Sequence, residues 1–126
     1  MNEIKIGDHV TAIYKTGKYA GEVTEVRNGQ YLVRILAVLK HPMQGDLHHP
    51  KETEVGLFHE RRALAYREQA NIPAKMVKPY TEEIPDYLES LKSSVQAFKE
   101  NLPESPKEWR EASLKCIDNL EKDYFK

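Results

Sequence analysis

The first part of the chain alternates apolar and polar side chains with a period of two, which is typical of β-strands. Residues 10–15 form the first such segment, in which one face carries Val10, Ala12 and Tyr14. Thr16-Gly17-Lys18 follows as a turn signal, and residues 19–26 continue the alternation. We therefore predict a first β-hairpin at the start of the chain.

The strongest hairpin signal is Asn28-Gly29, because both residues tolerate a positive φ angle. Residues 31–38 then form a nearly continuous β-prone run, long enough to bend around a small barrel. The pattern predicts three antiparallel strands joined by tight turns. Such a sheet has exposed edges unless further strands close it into a barrel.

Two later segments can supply the missing strands. Residues 62–67 are predicted as a strand, with a helix over residues 60–69 as the alternative, because Ala, Leu, Arg and Glu also favour helices. Residues 71–73 are expected to form a tight turn or a single 3₁₀ turn, and residues 75–80 a short last strand in which Pro79 requires an edge or an end. Five short strands and one long loop predict an SH3-like small β-barrel over residues 1–80.

Beyond residue 81 the apolar spacing changes from two to three or four, which indicates an amphipathic helix. One face carries Ile84, Tyr87, Leu88, Leu91, Val95, Phe98 and Leu102. Pro85 is tolerated in the first turn of this helix, and Pro103 ends it. The net charge also changes, from +3 over residues 1–80 to −4 over residues 81–126.

A second helix is predicted to begin at Ser105, with Pro106 in its first position and Glu108 completing a capping box. Its apolar stripe has Ile117 beside it and consists of Trp109, Ala112, Cys116, Leu120 and Tyr124. The short linker requires an antiparallel pair. The predicted fold class is therefore α+β, with an SH3-like barrel (1–80) followed by a helical hairpin (81–126) that packs on it.

Composition restricts the function classes. The chain has 126 residues, a net charge of −1 and one cysteine, so no intramolecular disulfide can form and no general nucleic-acid footprint is present. The charged, strand-like N-terminus has no secretory signal, no lipid-bearing cysteine lies near it, and no apolar run reaches membrane-spanning length. We expect a cytoplasmic protein that binds no nucleic acid and is not inserted in a membrane.

Candidate chemistry is concentrated in a loop over residues 39–60, which holds His41, His48, His49 and His59 together with Asp46. These side chains are suitable ligands for zinc. Their spacings of seven, one and ten residues, however, do not place two ligands on one face of an element. A metal site therefore stays a weak alternative, and we expect no cofactor.

Three other interpretations of the loop stay open. Acid–base catalysis would pair a histidine with Asp46 or Glu60, but no nucleophile motif accompanies them. RNA binding would use basic residues interleaved with aromatic ones, namely Lys15, Lys18, Arg27, Arg34, Arg61, Arg62 and Arg67 with Tyr14, Tyr19, Tyr31 and Tyr66. A structural role would bury the imidazoles and pair Glu60 with Arg61 or Arg62.

Several runs of the sequence match one known family. They are YKTGKY at 14–19, YLV at 31–33, HPMQGDLHHP at 41–50, FHER at 58–61, ALAYREQ at 63–69, NIP at 71–73 and MVKPY at 76–80. With them the chain resembles the kinase-associated protein B family of spore-forming Gram-positive bacteria. The resemblance covers essentially the whole chain and implies an SH3-like barrel with an added helical part.

The resemblance also implies a role in signalling. It suggests a protein needed for the activity of a membrane sensor histidine kinase, sporulation kinase B, which supplies phosphate to the sporulation phosphorelay. The family is sometimes described as a lipoprotein, a property that we do not expect here because the sequence has no signal peptide or N-terminal cysteine.

With this resemblance, we expect a non-enzymatic regulatory adaptor that acts by protein–protein contact and, as the resemblance implies, reaches the membrane through the kinase. No catalytic residues are assigned. The candidate partner-binding surface is the histidine loop, with the residues His41, Asp46, His48, His49, His59, Glu60 and Arg61. A small metal-binding or RNA-binding barrel is the alternative.

Overall fold

A computed structural model describes residues 4–45, 60–104 and 107–125. Five antiparallel strands form one sheet in the order β4-β3-β2-β1-β5. The strands are β1 (His9–Tyr14), β2 (Gly17–Arg27), β3 (Gln30–Lys40), β4 (Gln69–Pro73) and β5 (Val77–Pro79). A 3₁₀ turn at Ala74–Met76 joins the two edge strands. This order confirms the predicted SH3-like fold, although β4 and β5 do not pair to close the barrel.

The first hairpin has a two-residue turn. Tyr14 pairs with Gly17, so the turn consists of Lys15 and Thr16, whose φ angles are 45° and 70°. Positive values at both central positions are typical of a type I′ turn, whose twist matches that of the flanking strands. The turn therefore lies one residue before the predicted position.

The second hairpin forms at Asn28-Gly29 as predicted, between the paired residues Arg27 and Gln30. Only Gly29 of the two has a positive φ angle, at 76°. Three register shifts between β2 and β3 bend these long strands around the core. Gly21 lies at one of them, where an added Cβ would be 2.4 Å from the Arg34 carbonyl oxygen.

The fourth strand is not where the sequence analysis placed it. Residues 62–67 form neither the predicted strand nor the alternative helix, and β4 begins at Gln69. The turn predicted at residues 71–73 is also misplaced, because these residues belong to β4. The 3₁₀ turn, one of the two predicted alternatives, follows them at residues 74–76. The last short strand is confirmed as β5, with Pro79 at its end.

Two helices follow the sheet, as predicted: α1 (Tyr87–Glu100) and α2 (Lys107–Tyr124). The first helix begins after Asp86, whose side chain accepts a hydrogen bond from the Glu89 amide at 3.1 Å. Pro85 therefore precedes the cap and is not in the first turn. The predicted cap of the second helix, Ser105-Pro106, lies outside the described residues.

The buried face of α2 is rotated relative to the predicted stripe. Its centre is formed by Ser113 and Ile117, which are fully buried, whereas Cys116 is half-buried. Trp109 is buried in the interior, as expected. Leu120 of the predicted stripe is buried too, so the rotation exchanges Cys116 for its neighbours Ser113 and Ile117 at the centre of the face.

One hydrophobic core joins the sheet and both helices. It includes Val23 and Ile35 from the sheet, Leu91 from α1 and Ile117 from α2. The Ser90 hydroxyl accepts a hydrogen bond from the Val38 amide at 3.0 Å, which attaches α1 to β3.

The domain boundary near residue 81 stays a prediction. Within the described ranges, neither helix is long and apolar enough to cross a bilayer.

Candidate partner-binding site

The histidine loop leaves the barrel through His41, directly after β3. Its side chain is 2% exposed. The imidazole Nδ1 lies 3.0 Å from the Pro42 carbonyl oxygen, which can only accept, so Nδ1 carries the proton. The Nε2 atom then accepts a hydrogen bond from the Tyr124 hydroxyl at 3.0 Å. Both ring nitrogens are therefore satisfied by a neutral imidazole.

Burial determines the charge of this imidazole. The loss of hydration lowers the pKa of His41 to about 4, and the bond to the Pro42 carbonyl only partly opposes this change. The rings of Phe98 and Tyr124 contact it edge-on, with centroids at 5.6 and 5.8 Å. At neutral pH the His41 side chain is thus an uncharged part of the interior.

A glutamine side chain joins the two chain segments that flank residues 46–59. The Gln44 amide nitrogen donates to the Arg61 carbonyl at 2.8 Å, and its oxygen accepts the Arg61 amide, also at 2.8 Å. The same amide nitrogen donates to the Pro42 carbonyl at 3.1 Å. The buried Gln44 side chain therefore bonds to both the amide and the carbonyl of Arg61, as the backbone of a neighbouring β-strand would. These bonds join the start of the loop to its end.

Charged side chains extend this connection to the surface. The Arg61 guanidinium donates through Nε to the Gly45 carbonyl at 3.0 Å. Arg62 forms an ion pair with Asp123 of α2 and lies over the Tyr124 ring, 5.3 Å from its centroid. Glu60 is exposed. Ion pairing at the loop base thus includes a helical carboxylate that the sequence analysis did not consider.

Three tyrosine hydroxyls satisfy the backbone that follows the loop. Tyr124 accepts the Ala63 amide at 2.8 Å, Tyr19 accepts the Leu64 amide at 3.2 Å, and Tyr87 donates to the Leu64 carbonyl at 2.6 Å. Burial raises the pKa of Tyr19 and of Tyr87 to about 12, so both remain protonated. These bonds replace the strand ladder that the sequence analysis expected here.

An apolar groove of about 470 Å³ lies beside the loop entrance. It runs between the end of β3, the second half of α1 and the start of α2, and Phe98 and Trp109 contribute to its wall. Met43 of the loop and the exposed Lys40 border it. The surface next to the loop thus combines an apolar groove with the positive charge of Lys40 at its border.

The structure describes three of the seven predicted surface residues. Glu60 is exposed, Arg61 is half-buried, and His41 is buried and cannot contact a partner through its imidazole in this conformation. The structural interpretation therefore holds for His41. Four predicted residues lie outside the described part of the chain, namely Asp46, His48, His49 and His59.

The geometry of the described residues gives little support to the metal-binding, catalytic and RNA-binding interpretations. Among the described residues, no group of three or more His, Cys, Asp or Glu side chains could hold a metal ion. Burial raises the pKa of the Cys116 thiol, which disfavours the thiolate that a nucleophile requires. Tyr19 is buried, and Arg27 bonds to Glu25 at 2.9 Å, so neither is free for an RNA base or phosphate.

The sequence did not reveal Gln44 or Tyr124 as parts of this arrangement, and it suggested Glu60, not Asp123, as the partner of Arg62. The predicted apolar stripe of the second helix did contain Tyr124, but periodicity says nothing about the partner of its hydroxyl. The bonds connect residues 17 to 83 positions apart, so no local signal could have revealed them.

Comparisons with known proteins identify the family. A sequence model described as "Kinase associated protein B" matches residues 14–125. The curated "Kinase-associated lipoprotein B" of Bacillus subtilis (strain 168) is 53% identical over 125 residues, which cover 99% of this chain and 98% of the relative. The crystal structure of kinase-associated protein B from Bacillus cereus is 49% identical with a TM-score of 0.82, covering 97% of this chain and 98% of that one. The chain described here therefore belongs to the kinase-associated protein B family.

Proposed function

We propose that this protein is a non-enzymatic regulator that binds a kinase and controls its activity by direct contact. The observation that carries the proposal is family membership over residues 14–125, together with the kinase association in the printed names of the relatives from Bacillus subtilis and Bacillus cereus. The partner we propose is a membrane sensor histidine kinase of the sporulation phosphorelay, which is what the resemblance to the kinase-associated protein B family implies.

The proposed contact surface is the histidine loop and its base. The Gln44–Arg61 bonds join the described residues on either side of the segment whose sequence contains Asp46, His48, His49 and His59. Glu60 is exposed directly at this base. A loop whose ends are fixed loses less conformational entropy on binding, which favours a recognition role.

The test combines binding and activation with purified proteins. The cytoplasmic part of the kinase is immobilised, and binding of the wild type is compared with that of a His48→Ala/His49→Ala/Glu60→Ala variant. Autophosphorylation is measured with the same proteins. We expect the wild type to bind and to raise autophosphorylation, and the triple variant to bind at least ~tenfold more weakly.

A matched control carries His9→Ala and Glu111→Ala, which are exposed and lie on β1 and α2. This control should bind as the wild type does. Full binding by a folded triple variant would disprove the loop assignment alone, whereas a wild type that neither binds nor activates the kinase would disprove the function.

A further inference from the structure

A second groove, of about 640 Å³, lies on the barrel surface where α1 begins. We call it the Tyr66 groove. Its lining is mostly apolar and includes Leu36, Tyr66, Ile84, Pro85, Tyr87 and Leu88. Two of these side chains are unusually exposed for their size, since Tyr66 is 56% and Leu88 is 53% accessible. A surface that leaves large apolar groups together in water is characteristic of a binding site.

The aromatic part of the groove is held in place by a tight turn. The Glu68 amide donates to the Ala65 carbonyl at 3.0 Å, which places Tyr66 at the second position of a β-turn. Arg67 occupies the third position with a φ angle of 68°. The Arg67 amide donates to the Ile35 carbonyl at 2.6 Å, so the turn is fixed to β3.

The second ring of the groove is equally fixed. The Tyr87 hydroxyl donates to the Leu64 carbonyl at 2.6 Å, which orients the ring. The rings of Tyr66 and Tyr87 lie 5.6 Å apart at an angle of 51°. Two tilted rings of this kind, with Pro85 and Leu88 beside them, form shallow apolar notches that a ligand can enter without rearrangement of the protein.

The border of the groove is acidic. Residues 81–91 contain four carboxylates and no lysine or arginine, and all four acidic side chains are exposed: Glu82, Glu83, Asp86 and Glu89. Asp86 also contributes to the lining. Its Oδ2 accepts the Glu89 amide, which leaves a second carboxylate oxygen for an incoming donor. The exposed Arg67 and Lys92 are the neighbouring cations in sequence, so negative charge predominates.

We propose that the Tyr66 groove docks an extended, proline-containing segment of a partner protein that also carries arginine or lysine. Polyproline II segments have no internal hydrogen bonds, are pre-ordered before binding, and insert their rings between aromatic side chains. A basic residue beside the prolines would pair with Asp86 and its acidic neighbours. This surface differs from the histidine loop and does not depend on the kinase proposal.

Binding is tested with the isolated protein of residues 1–126, labelled with ¹⁵N for NMR. The probe is a synthetic peptide of about twelve residues with two Pro-x-x-Pro repeats flanked by arginines. Control peptides replace the prolines by alanine or the arginines by glutamate. The protein variants are Tyr66→Ala and, as a matched loss of an exposed apolar side chain elsewhere, Ile13→Ala, which is 46% exposed on β1.

We expect saturable binding of the proline–arginine peptide, with shift changes concentrated at Tyr66, Tyr87 and Leu88. Tyr66→Ala should weaken binding at least ~tenfold while the melting temperature hardly changes, and Ile13→Ala should bind normally. Added salt should weaken the interaction because the acidic border is exposed.

Several results would overturn the proposal. They are no saturation up to about 1 mM peptide, equal affinity for the alanine peptide, equal affinity for the glutamate peptide, or shift changes away from the groove. Unchanged binding by Tyr66→Ala would do the same. Kinase binding by the wild type is scored in a separate experiment, so failure here leaves the proposed function untouched.

Discussion

The hydroxyl of Tyr124 lies 3.0 Å from Nε2 of His41, a residue 83 positions earlier in the chain. The same oxygen lies 2.8 Å from the Ala63 nitrogen. It therefore donates to the imidazole and accepts from the amide, so one atom of α2 connects the entrance of the histidine loop with the segment that follows it.

Tyr124→Phe removes this connection and keeps the ring. We expect the free energy of unfolding to fall by about 1–3 kcal/mol, because the Ala63 amide and the His41 Nε2 both lose a partner in a buried place. Urea denaturation measures the change. Tyr66→Phe, which alters an exposed hydroxyl, is the control and should be neutral. Equal stability of the two variants would contradict this role for Tyr124.

The buried imidazole of His41 predicts a pH dependence of stability. Its pKa is about 4 in the folded protein and 6.5 as the ordinary value, so between these values the unfolded chain binds more protons. Protons therefore favour unfolding, and stability falls as the pH drops from 6.5 towards 4. At pH 5 the loss from this group is about 2 kcal/mol.

Carboxylates also titrate in this range, so the contribution of His41 is measured as a difference. Wild type and His41→Gln are denatured with urea at pH 7.5 and at pH 5, and the variant should lose less stability on acidification. An NMR titration gives a direct check, since the His41 ring should remain neutral at pH 5.5. A ring already half-protonated at that pH would contradict the prediction.

Gln44→Ala tests the connection at the base of the loop. The substitution leaves the Arg61 amide and carbonyl without their side-chain partner, and we expect a loss of about 2–4 kcal/mol. Amide hydrogen exchange at Arg61 should become faster by a corresponding factor. Gln96→Ala, at an exposed position of α1, is the control and should alter neither quantity. Unchanged exchange at Arg61 would show that other contacts hold the loop closed.

Gly21→Ala should be strongly destabilising. The new Cβ would lie 2.4 Å from the Arg34 carbonyl oxygen and 2.7 Å from a Val33 methyl group, so β2 and β3 would have to separate. We expect a loss above about 3 kcal/mol, measured by thermal or urea unfolding. Gly29→Ala is the comparison, because nothing lies within 4 Å there and only the positive φ angle is penalised. Its cost should be about 1 kcal/mol.

Ser113→Ala is expected to stabilise the protein. Ser113 is fully buried on α2, and within the described ranges its hydroxyl has no hydrogen-bond partner. Alanine removes this desolvated group and favours the helix, so we expect a gain of about 0.5–1.5 kcal/mol. Ser93→Ala is the control, because Ser93 lies on the exposed side of α1 and its substitution changes stability only through the higher helix propensity of alanine. A gain no larger than that of Ser93→Ala would indicate that the Ser113 hydroxyl is satisfied.

Local patterns were sufficient for the first three strands and both helices. Alternation around Val10 and Ala12, the Asn28-Gly29 turn and the later three-to-four spacing are each encoded by neighbouring residues. These parts of the fold were therefore predicted with small errors at the ends. The SH3-like class followed from the number of strands and from the family resemblance.

The segment before β4 was predicted wrongly because its backbone partners are distant side chains. Ala63 and Leu64 bond to tyrosine hydroxyls, and Arg61 bonds to the Gln44 side chain, so no strand ladder is needed. The amino-acid composition of residues 62–67 could not distinguish a segment held by distant side chains from a β-strand. The same reason explains why His41 could be named as a candidate but not recognised as a buried, doubly bonded residue.

The three tyrosines that bond to residues 63 and 64 are translated at widely separated times. Tyr19 belongs to β2, Tyr87 to α1 and Tyr124 to the last turn of α2. During synthesis from the N-terminus, all five strands leave the ribosome before the last of these hydroxyls is available. The hydrogen bonds from Tyr124 to His41 and Ala63 can therefore form only when α2 docks on the sheet. Docking of the last turn of α2 is then the final step in assembling the proposed partner surface.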